Sequence, residues 1–322
     1  MSLSRRKFLV SSGAALAATR LLAADQGKVA NLTHSPFRIA VINDEITQDF
    51  GRACEVASRQ FGMRWMELRG MWNKNVLKLD AAEIAEAKRI LGKNQLGVTD
   101  IASPLFKVDW PGAPKSQYSP ARGQFNADFT FDQQDEVLER SIELAKNFGT
   151  DRVRCFDFWR LDDPAPHRKA MNETLIHAAE KAAKRGVILL LENEPACNTA
   201  TGAEAAEVLT SIKLNSFMLN WDPGNAASRG EVPYPDAYNK LPKERIGHCH
   251  CKDVAKKDDK YEWAPMGGGI IDWVGQFRAL KRYGYGFAVS LETHWKGAGT
   301  AEASTVESWN GMKNQLAKAG AL

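Results

Sequence analysis

The sequence predicts an α/β protein built as a single (β/α)8 TIM barrel. Three observations carry that expectation. Eight short apolar runs alternate with amphipathic helical stretches between residues 37 and 318, the pattern of parallel strands covered by helices. Four of the later runs deliver one metal-capable side chain each at the same, carboxyl-terminal end: Glu192, Asp222, His250 and Glu292. The length of 322 residues suits one barrel better than two smaller domains.

The first strand is expected at 37–42, with a loop at 43–47 after it. Residues 50–61 then set Phe50, Ala53, Cys54, Ala57 and Phe61 at helical spacing. A second strand at 65–68 ends near Arg69. Asp80 caps a helix over 81–91 that Gly92 stops, and the third strand follows at 96–101. Residues 102–126, rich in Pro, Gly and Ser, form a long loop. Its Trp110, Tyr118 and Phe125 either wall a substrate pocket or pack on the loop itself. An amphipathic helix at 131–148 leads to the fourth strand, 152–156. A helix at 167–185 turns through Gly186 into the fifth strand, 187–191, and the apolar run stops at Glu192. The rest of the barrel is a helix from Thr201 or Gly202 to about 212, a strand at 216–221, a short helix at 236–241 and a strand at 245–250. A helix at 272–283, the eighth strand at 287–291 and a closing helix at 304–318 complete it.

Composition is that of a globular protein, 44% hydrophobic and 25% charged. A net charge of +4, with no long basic run beyond the extreme N-terminus, gives no reason to expect a nucleic-acid partner. The N-terminus reads as a targeting segment. Ser4-Arg5-Arg6-Lys7-Phe8-Leu9 is a twin-arginine pattern, and the Ala-rich stretch 10–24 is too short for a stable transmembrane helix. Residues 1–24 are therefore expected to be a twin-arginine signal cleaved near 23–24, with 25–36 a linker and 37–322 the catalytic barrel. This predicts the twin-arginine export machinery as a partner, a periplasmic or exported destination, and no stable membrane anchor. Cys54, Cys155, Cys197, Cys249 and Cys251 are odd in number and irregularly spaced. They read as buried small hydrophobes, not as a disulfide framework.

Neighbouring strand ends converge near a barrel axis, so Glu192, Asp222, His250 and Glu292 are expected to share one site. Three carboxylates and one imidazole make a hard, mostly oxygen donor set. It suits one divalent metal, Mn²⁺ best, with Mg²⁺, Co²⁺, Fe²⁺ or Zn²⁺ also compatible. The cation would relieve the repulsion among the carboxylates. Residues 248–253, His-Cys-His-Cys-Lys-Asp, look like a zinc box, but strand alternation separates them. His248, His250 and Lys252 face the lumen, while Cys249 and Cys251 face the helices. His250, nearer the strand end, is the ligand candidate. His248 is expected as a hydrogen-bonding neighbour deeper in the barrel, with the two roles exchanged as the alternative. Lys252 is placed to meet a substrate oxygen. Glu67, Arg69, Arg154 and Trp159 are further substrate-binding candidates at strand ends. Arg154, inside a strand, pairs either with substrate or with a barrel carboxylate. Trp159, like Trp110, either stacks on a sugar face or belongs to the core.

Leu-Glu-Asn-Glu at 191–194, Trp-Asp-Pro-Gly-Asn at 221–225, the 248–253 segment, Gly-Gly-Gly-Ile-Ile-Asp-Trp at 267–273 and Leu-Glu-Thr-His at 291–294 resemble the xylose isomerase-like TIM-barrel superfamily. Within it the chain is similar to the sugar phosphate isomerase/epimerase branch. Asn-Asp-Glu at 43–45 and Glu-Leu-Arg at 67–69 are also similar to family segments. The resemblance implies one divalent metal, often Mn²⁺, held by Glu192, Asp222, His250 and Glu292, and assigns acid/base roles to Glu192 and Glu292. Many members carry His three residues after the ligand Asp, in contact with substrate; this chain has Asn225 there. Gly267-Gly268-Gly269 is expected to be a turn before the following helix, not a phosphate cradle.

The expected activity is that of a divalent-metal-dependent sugar isomerase or epimerase working on a small carbohydrate or polyol. One carboxylate removes a proton next to a carbonyl to give a metal-bound enediolate, and a second returns it. If a β-substituent leaves instead, the same site becomes a lyase or dehydratase for a keto-sugar, keto-inositol or 3-keto-glycoside. A DNA-repair endonuclease of the same superfamily would need more His ligands than the six His of this chain provide at strand ends. A non-catalytic sugar-binding barrel would not need the intact quartet.

Overall fold

The computed structural model describes residues 32–119 and 129–322. The expected signal segment, and Phe125 in the long loop, lie outside the described residues. Eight strands form one parallel sheet: β1 (Arg38–Val41), β2 (Trp65–Leu68), β3 (Gly97–Leu105), β4 (Arg152–Cys155), β5 (Ile188–Glu192), β6 (Phe217–Trp221), β7 (Ile246–Cys251) and β8 (Ala288–Leu291). Their order round the sheet is β1-β8-β7-β6-β5-β4-β3-β2. A parallel bridge between Ile42 and Glu67 joins the two remaining edges and closes the barrel. Closure matters because it leaves no unpaired strand edge, and it brings β2 side chains to the same lumen as those of β5 to β8.

The α-helices longer than four residues are α1 (Phe50–Glu55), α2 (Ala81–Lys93), α3 (Gln134–Phe148), α4 (Arg168–Ala183), α5 (Gly202–Ser211), α6 (Pro223–Ser228), α7 (Trp273–Tyr283) and α8 (Ala301–Lys318); single turns lie at Asn43–Ile46, in place of the expected loop, and at Tyr238–Lys240. Their starts follow from local chemistry. Asp80 and Glu83 make a reciprocal capping box at α2, as do Thr201 and Glu204 at α5. Left-handed Gly149 and Gly284 end α3 and α7, at φ 73° and 82°. The apolar faces of these helices and the outward faces of the strands form one continuous core. All five cysteines are free and buried, and Cys249 and Cys251 belong to that core. Among the described residues no helix is long and apolar enough to cross a membrane.

Several elements differ from the sequence reading. β3 runs on to Leu105, past Ser103 and Pro104, through a register irregularity against β4 between Ile101 and Leu105. A bulged strand tolerates the proline that reads as a loop start. α6 follows directly on Asp222, with Pro223 at its first position. Asp253–Lys257 and Lys260–Ala264 form an antiparallel hairpin directly after β7. α8 starts at Ala301 because Thr300 accepts a bond from the Ala303 N–H at 3.1 Å. The end of the expected linker is part of the body: Ser35 donates to the Ala321 carbonyl at 2.8 Å, and Leu32 packs against the core. Trp110 resolves toward packing, edge-on to Phe158 and Phe131 at centroid distances of 4.7 and 5.7 Å.

Candidate functional site

β5 delivers Glu192 as its last residue, and the run of leucines before it is buried. β6 hands over to α6 through Asp222. Its Oδ1 accepts the Asn225 N–H at 2.8 Å and caps the helix, leaving Oδ2 for the lumen. Asn193 clamps the same turn, accepting the Asp222 N–H at 2.8 Å and donating to the Asp222 carbonyl at 2.9 Å. β7 brings His250 inward by strand alternation, and Glu292 follows the end of β8. One ligand atom from each of Glu192, Asp222, His250 and Glu292 can be chosen so that all lie within 4.8 Å of one another. His250 Nδ1 is 3.2 Å from Glu192 Oε1, 3.2 Å from Glu292 Oε2 and 3.6 Å from Asp222 Oδ2.

The other predicted residues lie around this group in two layers. Lys252 is central. Its Nζ is 2.7 Å from Asp222 Oδ2 and also contacts Glu292 Oε2. It reaches that place across α6 at Gly224, where a Cβ would stand 2.5 Å from Lys252 Cγ. Arg69 bridges Glu292 Oε1 at 3.0 Å, Glu45 Oε1 at 2.6 Å and Asp44 Oδ1 at 2.9 Å. Arg154 pairs with Glu192 Oε2 at 3.1 Å and donates to the carbonyls of Ser103 and Ala102. Asn225 donates to Glu192 Oε1 at 3.2 Å. One layer down, Glu67 Oε1 is 3.0 Å from His250 Nε2, and His248 Nε2 is 3.4 Å from both Glu67 Oε2 and Asp100 Oδ1. Trp159 packs against Phe156 and Cys197 and lies under the Lys107 ammonium, 5.4 Å from its ring. These contacts tie it to the protein's own groups.

Sequence reasoning gave no role to Glu45 or Asn193, both inside segments that carry the resemblance, and passed over Trp263. Trp263, on the hairpin, sits 5.3 Å from Lys252 Nζ and edge-on to His294 at 4.8 Å. The hairpin's alternation of charged and aromatic residues at 260–264 was the available signal. Beyond that resemblance Asn193 had none, because a polar residue after a strand-end carboxylate reads as loop.

Electrostatically the site is compensated from within. The three carboxylates face three permanent cations, Lys252, Arg69 and Arg154, so relief of carboxylate repulsion does not by itself demand a metal. Burial would raise the Glu192 pKa, but His250 and Arg154 overcome it and hold the carboxyl below its ordinary range. Burial is likewise outweighed at Glu292 by Lys252, His294 and His250, and its pKa falls well below normal. For Lys252, Asp222 and Glu292 override the desolvation that would lower its pKa, and the ammonium is held charged. Burial pushes His248 down to about 3, so it is neutral. The donor chemistry fits a hard divalent cation, since four donors converge and the group that bridges two of them is the flexible end of Lys252, not backbone.

The triple glycine has a structural occupant. Asp253 accepts backbone N–H groups from Gly267 at 2.9 Å, Gly269 at 3.2 Å, Val254 at 2.9 Å and Ile271 at 3.4 Å. A Cβ on Gly269 would collide with the Asp253 carboxylate. The loop thus cradles the protein's own anion.

Residues 56–315 match the sequence profile of the family described as xylose isomerase-like TIM barrel. A protein of Escherichia coli strain K12, named as a candidate L-ribulose-5-phosphate 3-epimerase, is 24% identical over 230 residues, 59% of this chain and 75% of that protein. Among solved structures, the candidate 3-DHS dehydratase of petrobactin synthesis from Bacillus anthracis superposes with TM-score 0.64 at 18% identity, over 84% of this chain and 97% of its own. The IOLI protein with a binding zinc atom superposes with TM-score 0.66 at 15% identity, over 88% of this chain and 98% of its own.

Proposed function

The chain belongs to the xylose isomerase-like TIM barrel family, and we propose that it is a divalent-metal-dependent isomerase or epimerase of the sugar isomerase/epimerase branch, acting on a small carbohydrate or polyol. The observation that carries this reading is the convergence of Glu192, Asp222, His250 and Glu292 from four consecutive strands of the barrel. These four residues would hold the cation, with Mn²⁺ the first choice for so oxygen-rich a set. When bound, the cation supplies Lewis-acid polarisation of a substrate carbonyl and acidifies the neighbouring C–H.

Glu192 and Glu292 do the proton work. Each is ionised, the state a general base requires. Their lowered pKa values make them weak bases, so they suit a C–H that is already strongly acidified. One takes the proton and leaves an enediolate; now protonated, it returns that proton to the adjacent carbon, or the other carboxyl, once it has taken up a proton from solvent, delivers it to the opposite face. Arg154 and Arg69 fix the two carboxylates from outside by bidentate-capable guanidinium contacts. Trp263, 5.3 Å from Lys252 Nζ and edge-on to His294, is suited to exclude water from the site.

A second reading is favoured by one contact set. Lys252 touches Glu292, and His294 Nε2 is 3.3 Å from it. Proton donors beside a base are what a departing β-hydroxyl needs, and that outcome is a lyase for a keto-sugar, keto-inositol or 3-keto-glycoside. An epimerase name and a dehydratase name both occur among the proteins this chain resembles. The pair Arg5-Arg6 supports export in the folded state by the twin-arginine machinery to the periplasm, with 37–322 as the catalytic domain.

Proton NMR in D₂O separates the two readings. Mature protein loaded with Mg²⁺ is incubated with free ketoses, keto-inositols and 3-keto-glycosides. Deuterium entering an α-carbon of an intact skeleton is expected, and Glu192→Gln should slow it by roughly a hundredfold or more. Loss of the β-substituent with an enone signal would make the protein a lyase. No exchange with any substrate would overturn the catalytic reading.

A further inference from the structure

We infer that Glu67 is a positioning residue of the centre, one that orients His250 toward the quartet, and not a substrate contact. The inference rests on the metal reading above. The two nitrogens of the His250 ring face different neighbourhoods. Nδ1 faces Glu192, Glu292 and Asp222 at 3.2, 3.2 and 3.6 Å. Nε2 faces Glu67 Oε1 at 3.0 Å, and both side chains are fully buried. The ring therefore stands between Glu67 and the quartet, which keeps Glu67 from meeting anything held there.

A carboxylate only accepts hydrogen bonds, so its partner at Nε2 must be an N–H. A neutral imidazole with its proton on Nε2 has its lone pair on Nδ1, which is the nitrogen aimed at the other three donors. The opposite tautomer would put two lone pairs against Glu67 and a proton where the cation belongs. Asn220 Nδ2 lies 3.0 Å from the same nitrogen, where an amide N–H would face the Nε2–H, so the amide has to be reversed. Turned about its last bond, that amide presents Oδ1, otherwise without a hydrogen-bond partner, and accepts the same N–H. Glu67 is itself fixed from two sides. Its backbone forms the β1–β2 bridge that closes the barrel, and its second oxygen is enclosed 3.4 Å from His248 Nε2 without a hydrogen bond. A carboxylate behind a ligating imidazole fixes ring and tautomer and raises ligand basicity, and its loss typically costs 10- to 100-fold in metal affinity.

Two measurements on the mature protein test this. Titration calorimetry with Zn²⁺ compares wild type with Glu67→Gln, which keeps the side-chain volume. A loss of roughly 10- to 100-fold in affinity is expected. Long-range ¹H–¹⁵N correlation on ¹⁵N-histidine protein loaded with Zn²⁺ reads the His250 tautomer directly. It should show Nε2–H in wild type, with its resonance shifted in Glu67→Gln, a change that a merely space-filling Glu67 would not produce. An Nδ1–H ring in the loaded wild type counts against the proposal even if Glu67→Gln does not fold. Equal affinity in the variant, or an Nδ1–H ring in the loaded wild type, overturns the positioning role and leaves the metal reading intact. Absence of Zn²⁺ binding by wild type overturns both.

Discussion

Lys252 is the residue on which the electrostatics of the site turn. Its ammonium bridges Asp222 and Glu292, two of the four donors. A divalent cation held by those oxygens must displace it, because charges of +2 and +1 about 4 Å apart repel by roughly 8 kcal/mol at an effective dielectric of 20. Lys252→Met should therefore bind Mn²⁺ at least about tenfold more tightly than wild type in titration calorimetry. The same variant should lose stability without metal, by roughly 3 kcal/mol in urea unfolding, because two buried carboxylates lose their partner. Equal or weaker Mn²⁺ affinity would show that Lys252 and the cation do not compete. The sequence identified Lys252 as facing the lumen from strand parity alone, and that much was legible. Its pairing with the quartet was not, because α6 and the close approach at Gly224 steer it there.

Elements deliver these residues by their terminations. Glu192 ends β5, and Asp222 lies between β6 and α6, where one oxygen caps the helix and the other faces the lumen. The Asp222-Pro223 pair was a readable helix start, but the six residues of α6 are too few for a periodic signal. The hairpin after β7 did leave a signal, the alternation of charged and aromatic residues at 260–264, which the strand count did not take up. The loop from Pro265 to Ile271 is held by Asp253, which accepts four backbone N–H bonds in and around it. Asp253→Ala would leave those donors without their acceptor. A loss of roughly 3 kcal/mol or more is expected, read as a fall in the urea midpoint. An unchanged midpoint would mean that water replaces the carboxylate at no cost.

At the scale of the whole molecule, the barrel was legible because each strand is a short buried apolar run, and sequence order equals spatial order in this fold. The convergence of Glu192, Asp222, His250 and Glu292 follows from that order. What the sequence could not supply was the depth of each group along the axis. Glu67 and Arg69 read as strand-end polar residues facing a substrate, and Arg154, inside a strand, as paired with substrate or with a barrel carboxylate. In the structure Arg154 and Arg69 pair with Glu192 and Glu292, and Glu67 lies behind His250. Depth depends on the stagger between strands, including the shifts at Met66–Leu68 and Leu219–Asn220, which no single strand encodes.

The measurement that bears most directly on the metal centre is anomalous diffraction at the manganese edge from crystals of Mn²⁺-loaded protein. One peak is expected, bonded to Glu192, Asp222, His250 Nδ1 and Glu292 at about 2.0–2.2 Å, with Lys252 Nζ withdrawn from Asp222 and Glu292. A map without a peak at that place, and Lys252 still bridging the two carboxylates, would contradict the metal-dependent account.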